Sequence, residues 1–209
     1  MKRYWPTYLG FLAGLTAIGA GLHFGENGEH GWQLAARWTA RASFPLFIVT
    51  FAASAVVRLH HAPWAKTLLR NRRWWGLGFA ACFTLHVASL SIYNSLKGNF
   101  PPTGPSDPGF YVYLLMLAMV LTSTDIARRR LGKGWKVLHR LGMWAFWLVF
   151  VVNPYIGAIL RLEAPKESPL ADPYFLVGIA AALMKFAAWR SSRGKRVRRL
   201  VRPLHRHVV

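Results

Sequence analysis

Six apolar segments, separated by short polar or basic stretches, constrain this chain more than any other feature. They cover residues 4–22, 44–59, 74–93, 110–126, 135–160 and 174–189. Each is near the roughly 20 residues that a helix needs to cross a hydrocarbon core of about 30 Å. In lipid every backbone polar group must be satisfied within the protein, so repeated spans of this kind fold as a helical bundle. The expected fold is therefore all-α, a bundle of six transmembrane helices forming one integral membrane domain over residues 1–209. A basic tail follows at about 190–209. Helix-entry chemistry is visible at several starts. Pro6 and Pro45 suit a first helical turn, Ser43 suits a cap for the second span, and Asp172-Pro173 suits the opening of the sixth.

Charge orients the bundle. The chain carries 27 Lys and Arg against seven Asp and Glu, a net charge of +20. Two basic residues precede the first span, five lie between Arg58 and Arg73, six between Arg128 and Arg140, and eight between Arg190 and Arg206. With six alternating spans all these blocks fall on one side, which the positive-inside rule makes cytoplasmic. Every acid except Asp125 falls on the other side. Both termini are thus expected inside a bacterial inner membrane. The basic residues sit in short blocks rather than on one folded face, which argues against nucleic acid as a partner and for the lipid bilayer. Met1-Lys2-Arg3 before an apolar run also fits a cleaved signal peptide, although retention of the first helix is the preferred reading.

The loop at 97–109, with four prolines, reads as an irregular external connection. The loops are too small for a soluble catalytic domain, and there is no P-loop, dinucleotide-binding glycine motif or HExxH. Chemistry has to be built between helices. The single cysteine, Cys82, excludes an intrachain disulfide and reads as a small buried residue.

The eight histidines are the candidates. His205 and His207 lie in the basic tail and His30 in an outer loop, where a solvated role suffices. His60 and His61 end the second span on the inner side, and His23 closes the first on the outer side. Only His86 is plainly inside the hydrocarbon, where an ionisable side chain is costly and marks a functional candidate. Counting at ~1.5 Å per residue from Trp74 puts His86 about 18 Å above the inner edge. By the same count His139, four residues beyond Trp135, lies roughly 12 Å lower. Asn153-Pro154 is expected to kink the fifth span in its outer half.

Two blocks carry a resemblance. Arg72-Arg73-Trp74-Trp75-Gly76-Leu77-Gly78 is followed by Thr84-Leu85-His86. Leu121-Thr122-Ser123-Thr124 is followed by Arg130-Leu131-Gly132-Lys133-Gly134-Trp135-Lys136-Val137-Leu138-His139. In this order and spacing they resemble the ferric reductase-like transmembrane family, and most closely its bacterial MsrQ (YedZ) branch, over about residues 43–160.

The resemblance implies haem b, in one or two copies, with FMN as a further cofactor it admits. It implies electron transfer from a cytoplasmic flavin reductase or quinol to a periplasmic acceptor, a molybdopterin methionine-sulfoxide reductase, with catalysis housed in the partner. His86 and His139 match the family's iron ligands. Arg72, Arg73, Arg130 and Lys133 are placed to meet haem propionates or a flavin phosphate, or else serve only to fix topology.

One departure is plain. MsrQ members carry another histidine thirteen residues after the one matching His139, and here that position is Val152. Several arrangements stay open: one haem between His86 and His139 on shifted helices, a five-coordinate haem, or recruitment of His23 at the outer level and of His60 or His61 at the inner. Met143, one turn above His139, is a weaker ligand candidate. The alternative to a redox role is a haem-less, degenerate six-helix protein that keeps the fold for partner binding or transport.

Overall fold

The computed structural model of the chain describes residues 4–99, 108–152 and 172–201, with the side chains of Pro108 and of 193–201 left aside. Seven α-helices account for the described elements. They are α1 (Trp5–Phe24), α2 (Gly28–Leu59), α3 (Pro63–Leu96), α4 (Pro108–Leu121), α5 (Asp125–Leu131), α6 (Lys133–Trp147) and α7 (Pro173–Val201). A π-helical turn, Leu148–Val152, continues α6.

Local chemistry sets several ends. A proline occupies the first turn of α1 and of α3, where its missing N–H costs nothing. At α7 the Asp172 carboxylate accepts the Tyr174 amide at 2.8 Å. Thr124 caps α5 by accepting from the Ala127 amide at 3.1 Å. Gly132, at φ +50°, makes the corner between α5 and α6, a backbone region in which a side chain would be strained.

The second span departs from its expected start. Ser43 and Pro45 do not open it; α2 begins at Gly28 and runs for 32 residues with Pro45 inside. Ser43 Oγ instead donates to the Ala40 carbonyl at 2.8 Å. Sixteen apolar residues from 44 to 59 extend only about 24 Å. The preceding turns also bury Ala35, Ala36 and Thr39 against neighbouring helices, and that burial outweighs the local stop signal. His30 accordingly lies in the first turn of α2, exposed, rather than in a loop.

The fourth span is cut short. α4 ends at Leu121, and the next helix turns away by 104°, carrying Ile126 out of line. The described end of the 97–109 connection is a turn, whereas 100–107 lie outside the described residues, as does the Asn153-Pro154 kink. The π turn immediately before it fits the sequence, because Pro154 has no N–H to offer the Phe150 carbonyl. Among the described residues four helices are long and apolar enough to cross a membrane, and five if α4 with α5 counts as one span. α7 is 29 residues long but contains Lys185 and runs into the basic block after Trp189.

Two kinds of packing hold the bundle. Helices α1, α2 and α3 meet through small residues: a Cβ on Gly10 would overlap the backbone of Gly78, and one on Gly21 would overlap that of Ala35. Close backbone approach of this kind replaces the hydrophobic drive that lipid removes. On the other side α2, α3 and α6 meet through phenylalanines. Phe146 is fully buried with its ring centroid 5.0 Å from Phe79 and 5.2 Å from Phe83, both edge-on. Phe47 stacks on Phe150 at 5.5 Å. This aromatic block lies between the levels of the two histidines.

Candidate functional site

His86 is held by another helix. Its Nδ1 lies 2.8 Å from the Ala36 carbonyl of α2 and 3.4 Å from Thr39 Oγ1. A carbonyl only accepts, so Nδ1 carries the hydrogen and Nε2 keeps its lone pair in the neutral ring. Thr39 is itself tied back, donating to the Ala35 and Ala36 carbonyls at 2.7 and 3.0 Å. Phe83 flanks the imidazole at 5.3 Å. An imidazole with one nitrogen fixed by a backbone carbonyl and the other free is the arrangement that orients a metal-ligating histidine.

His139 is held by its own helix. Its Nδ1 lies 3.1 Å from the Trp135 carbonyl, one turn earlier, and its ring stacks on Trp135 at 4.1 Å. Nε2 lies 3.5 Å from Ser123 Oγ, whose hydroxyl is directed to the Met119 carbonyl at 2.6 Å. The Trp135 indole N–H donates to the Thr122 carbonyl at 2.9 Å, satisfying an acceptor that the end of α4 leaves without an intrahelical donor. The two motif blocks 121–124 and 130–139 are thus one structural corner. Threonine, serine and tryptophan tie it together, and it sets the imidazole against the end of α4.

The phenylalanine contacts fix the depth of each histidine. Phe146 sits level with the turn between Phe79 and Phe83 on α3, which runs in the same direction as α6. His139 is seven residues before Phe146 and His86 about five after that turn. The separation along the bundle is therefore about 18 Å, more than the ~12 Å expected from the sequence. One iron cannot be clamped by both. Counting outward from the same contact, Val151 and Val152 in the π turn stand at the level of His86. Residues 72–74 of α3 stand at the level of His139, and the Arg72 guanidinium is close enough to act on its ring.

The other candidates are not brought to either level. His23 is exposed near the end of α1, beside Phe24. His60, in extended conformation past α2, and its neighbour His61 are exposed as well. Arg73 is exposed and lies 3.9 Å from Asp125, which also pairs with Arg128 at 3.2 Å. Lys133 is exposed at the start of α6, and Arg130 is exposed at the end of α5. Met143 and Cys82 are packed into the core. Among the described residues no group of three or more His, Cys, Asp or Glu could hold a metal ion.

One half-buried cation went unseen in the sequence. Lys185, inside the sixth apolar segment, donates to the Phe51 carbonyl of α2 at 3.3 Å and lies 3.9 Å from the Phe51 ring centroid. A lysine among apolar residues was the available signal. Six basic residues, Lys185 among them, lie outside the four basic blocks.

The chain is similar to known proteins over most of its length. The profile of the family described as ferric reductase like transmembrane component matches residues 36–150. The protein-methionine-sulfoxide reductase heme-binding subunit MsrQ of Salmonella arizonae is 32% identical over 162 residues, covering 73% of this chain and 77% of that protein. The subunit of the same name from Salmonella paratyphi B is 30% identical over 166 residues, covering 73% and 76%. No solved structure matches the chain. The matched stretch runs from the carbonyl that holds His86 to Phe150 within the π turn, and with it the chain belongs to the ferric reductase-like transmembrane family, as a multi-pass membrane protein related to MsrQ.

Proposed function

We propose that this protein carries haem b and moves electrons across the bacterial inner membrane. The donor is a cytoplasmic flavin or quinol, and the acceptor is a periplasmic methionine-sulfoxide reductase partner. The observation that carries this reading is the His86 imidazole, fixed through Nδ1 by the Ala36 carbonyl so that Nε2 is left with its lone pair inside a spanning helix. Haem b supplies reversible one-electron chemistry at iron when bound.

The residues present fit a haem with one protein ligand at the outer level. His86 would hold the iron, Val151 and Val152 bring no imidazole to that level, and the phenylalanines would keep water from the path between levels. His139 supplies one imidazole at the inner level, where a second haem or an FMN enters the path. Arg73 and Lys133 belong to the basic face that meets the donor's phosphate. The proposal includes six spans with both termini cytoplasmic: α7 lies along α2, and its Gly178 carbonyl accepts the Trp147 indole N–H at 2.9 Å.

The valines at the outer level also favour a second reading, a degenerate member that keeps the fold for partner binding or transport. Reduced-minus-oxidised visible spectra of protein expressed with ample haem decide between them. A b-type band is expected in the wild type, and His86→Ala should lower haem per protein at least tenfold while His30→Ala leaves it unchanged. A folded wild-type protein without the band would sink the redox reading.

A further inference from the structure

Two cations from different helices converge on one turn of α2. Arg72 of α3 donates its Nε–H to the Thr50 carbonyl at 2.9 Å, and Lys185 of α7 donates to the next carbonyl, that of Phe51, at 3.3 Å. Each side chain is half-buried, and Lys185 is also wedged against aromatic faces, 3.9 Å from Phe51 and 5.6 Å from Trp144. The backbone takes up one hydrogen on each head. Both terminal amino groups of Arg72 and two hydrogens of Lys185 make no described protein hydrogen bond.

Nothing negative faces the pair among the described residues. The charged groups that act on Lys185 are Arg72, Arg140 and Arg58, all positive. Asp125, the one described acid on this side, is occupied by Arg73 and Arg128. Half-buried cations without a counter-charge are costly, so a site built this way calls for an anion.

Its depth and surroundings say which. Tyr4 packs edge-on against Trp74 at 4.3 Å and Trp5 against Trp75 at 5.0 Å, an aromatic group of the kind that sits at headgroup level. Arg72 lies just two residues before Trp74. Around Lys185 the outer surface is apolar, with Trp144 37%, Phe186 55% and Trp189 46% exposed, a surface suited to acyl chains. We propose that Arg72 and Lys185 form a binding site for the phosphate of an anionic phospholipid headgroup in the leaflet on the basic side, the lipid tails lying against α6 and α7. Two fixed cations, with Arg58 and Arg140 nearby, favour phosphatidylglycerol over a zwitterionic lipid, and a headgroup here ties α2, α3 and α7 together. The site needs no haem and no redox partner.

The test uses the full-length protein, purified in detergent and stripped of lipid. Its melting temperature is read with added phosphatidylglycerol, phosphatidylcholine or inorganic phosphate, and retained lipid is counted by native mass spectrometry. Phosphatidylglycerol should raise the melting temperature by at least about 3 °C, and the other two should not. Arg72→Gln with Lys185→Gln should remove at least half of that rise, whereas Lys195→Gln with Arg196→Gln, which takes the same charge from the basic tail, should keep it. Lys185→Arg should also keep it, and decides the matter if the glutamine pair does not fold. An equal rise with phosphatidylcholine, a rise reproduced by inorganic phosphate, a full rise in the glutamine pair, or its loss in Lys185→Arg would each overturn the proposal.

Discussion

His86 and His139 are the same residue type in spanning helices about 18 Å apart, yet they are built into opposite environments. The outer imidazole is oriented by a carbonyl of a different helix and flanked by a phenylalanine. The inner one is oriented by its own helix, stacked on a tryptophan and within electrostatic reach of the Arg72 guanidinium. A ligand held across a helix interface is fixed by the packing of the bundle. One held within its helix is fixed by a local corner, and the cations around it are available for anions. Under the proposed function the two levels divide the labour: iron ligation at the outer level, and reception of the electron with anion binding at the inner.

The largest expected effect tests the small-residue packing that seats α1 on α3. Gly78→Leu places a side chain against the backbone of Pro6 and Thr7, which cannot yield without moving α1. A cost of about 3 kcal/mol, at the upper end for overpacking, should appear as a lower denaturation midpoint and reduced yield of the purified protein. An unchanged midpoint would show that the glycine contact is not what holds α1 in place.

Restoring the outer level comes next. Val152→His places an imidazole in the π turn at the level of His86, and under the proposed function the reduced spectrum is expected to become that of a six-coordinate, low-spin b-type haem with at least twice the haem retained. If the spectrum stays as in the wild type, the π turn directs residue 152 away from His86 and the assignment of levels needs revision. His139→Ala should leave the outer band intact while slowing reduction by a cytoplasmic donor at least tenfold. Equal loss of haem in His86→Ala and His139→Ala would erase the contrast between the levels.

The smallest effect probes the support of His86. Thr39→Val removes a hydroxyl 3.4 Å from Nδ1 but leaves the Ala36 carbonyl at 2.8 Å, so haem content should fall less than twofold. A larger fall would make the hydroxyl, rather than the carbonyl, the principal anchor.

Much of this was legible in the sequence. The apolar segments gave the helical membrane class, His86 stood out because a charge-competent ring in lipid is expensive, and the two motif blocks gave the family. What failed did so for stated reasons. Pro45 and Ser43 looked like a helix start, but a proline inside a membrane helix is tolerated when neighbouring helices bury the turns around it. Ile126 looked like the end of a span, although the chain turns through 104° between Leu121 and Asp125, where Thr124 caps the next helix. Lys185 does not stand out when charge is grouped by block, and its partner, the Phe51 carbonyl, lies 134 residues away.

The sequence by itself determined the membrane class, the family and the presence of one imidazole at each of two depths, because hydropathy and short motifs are local properties. Only the tertiary structure decided that those depths exclude a shared iron. It also decided that Ala36 sets the His86 tautomer, and that Arg72 and Lys185 meet on one turn of α2. Each of these depends on the register between helices, which side-chain packing over the whole bundle fixes and no local pattern encodes.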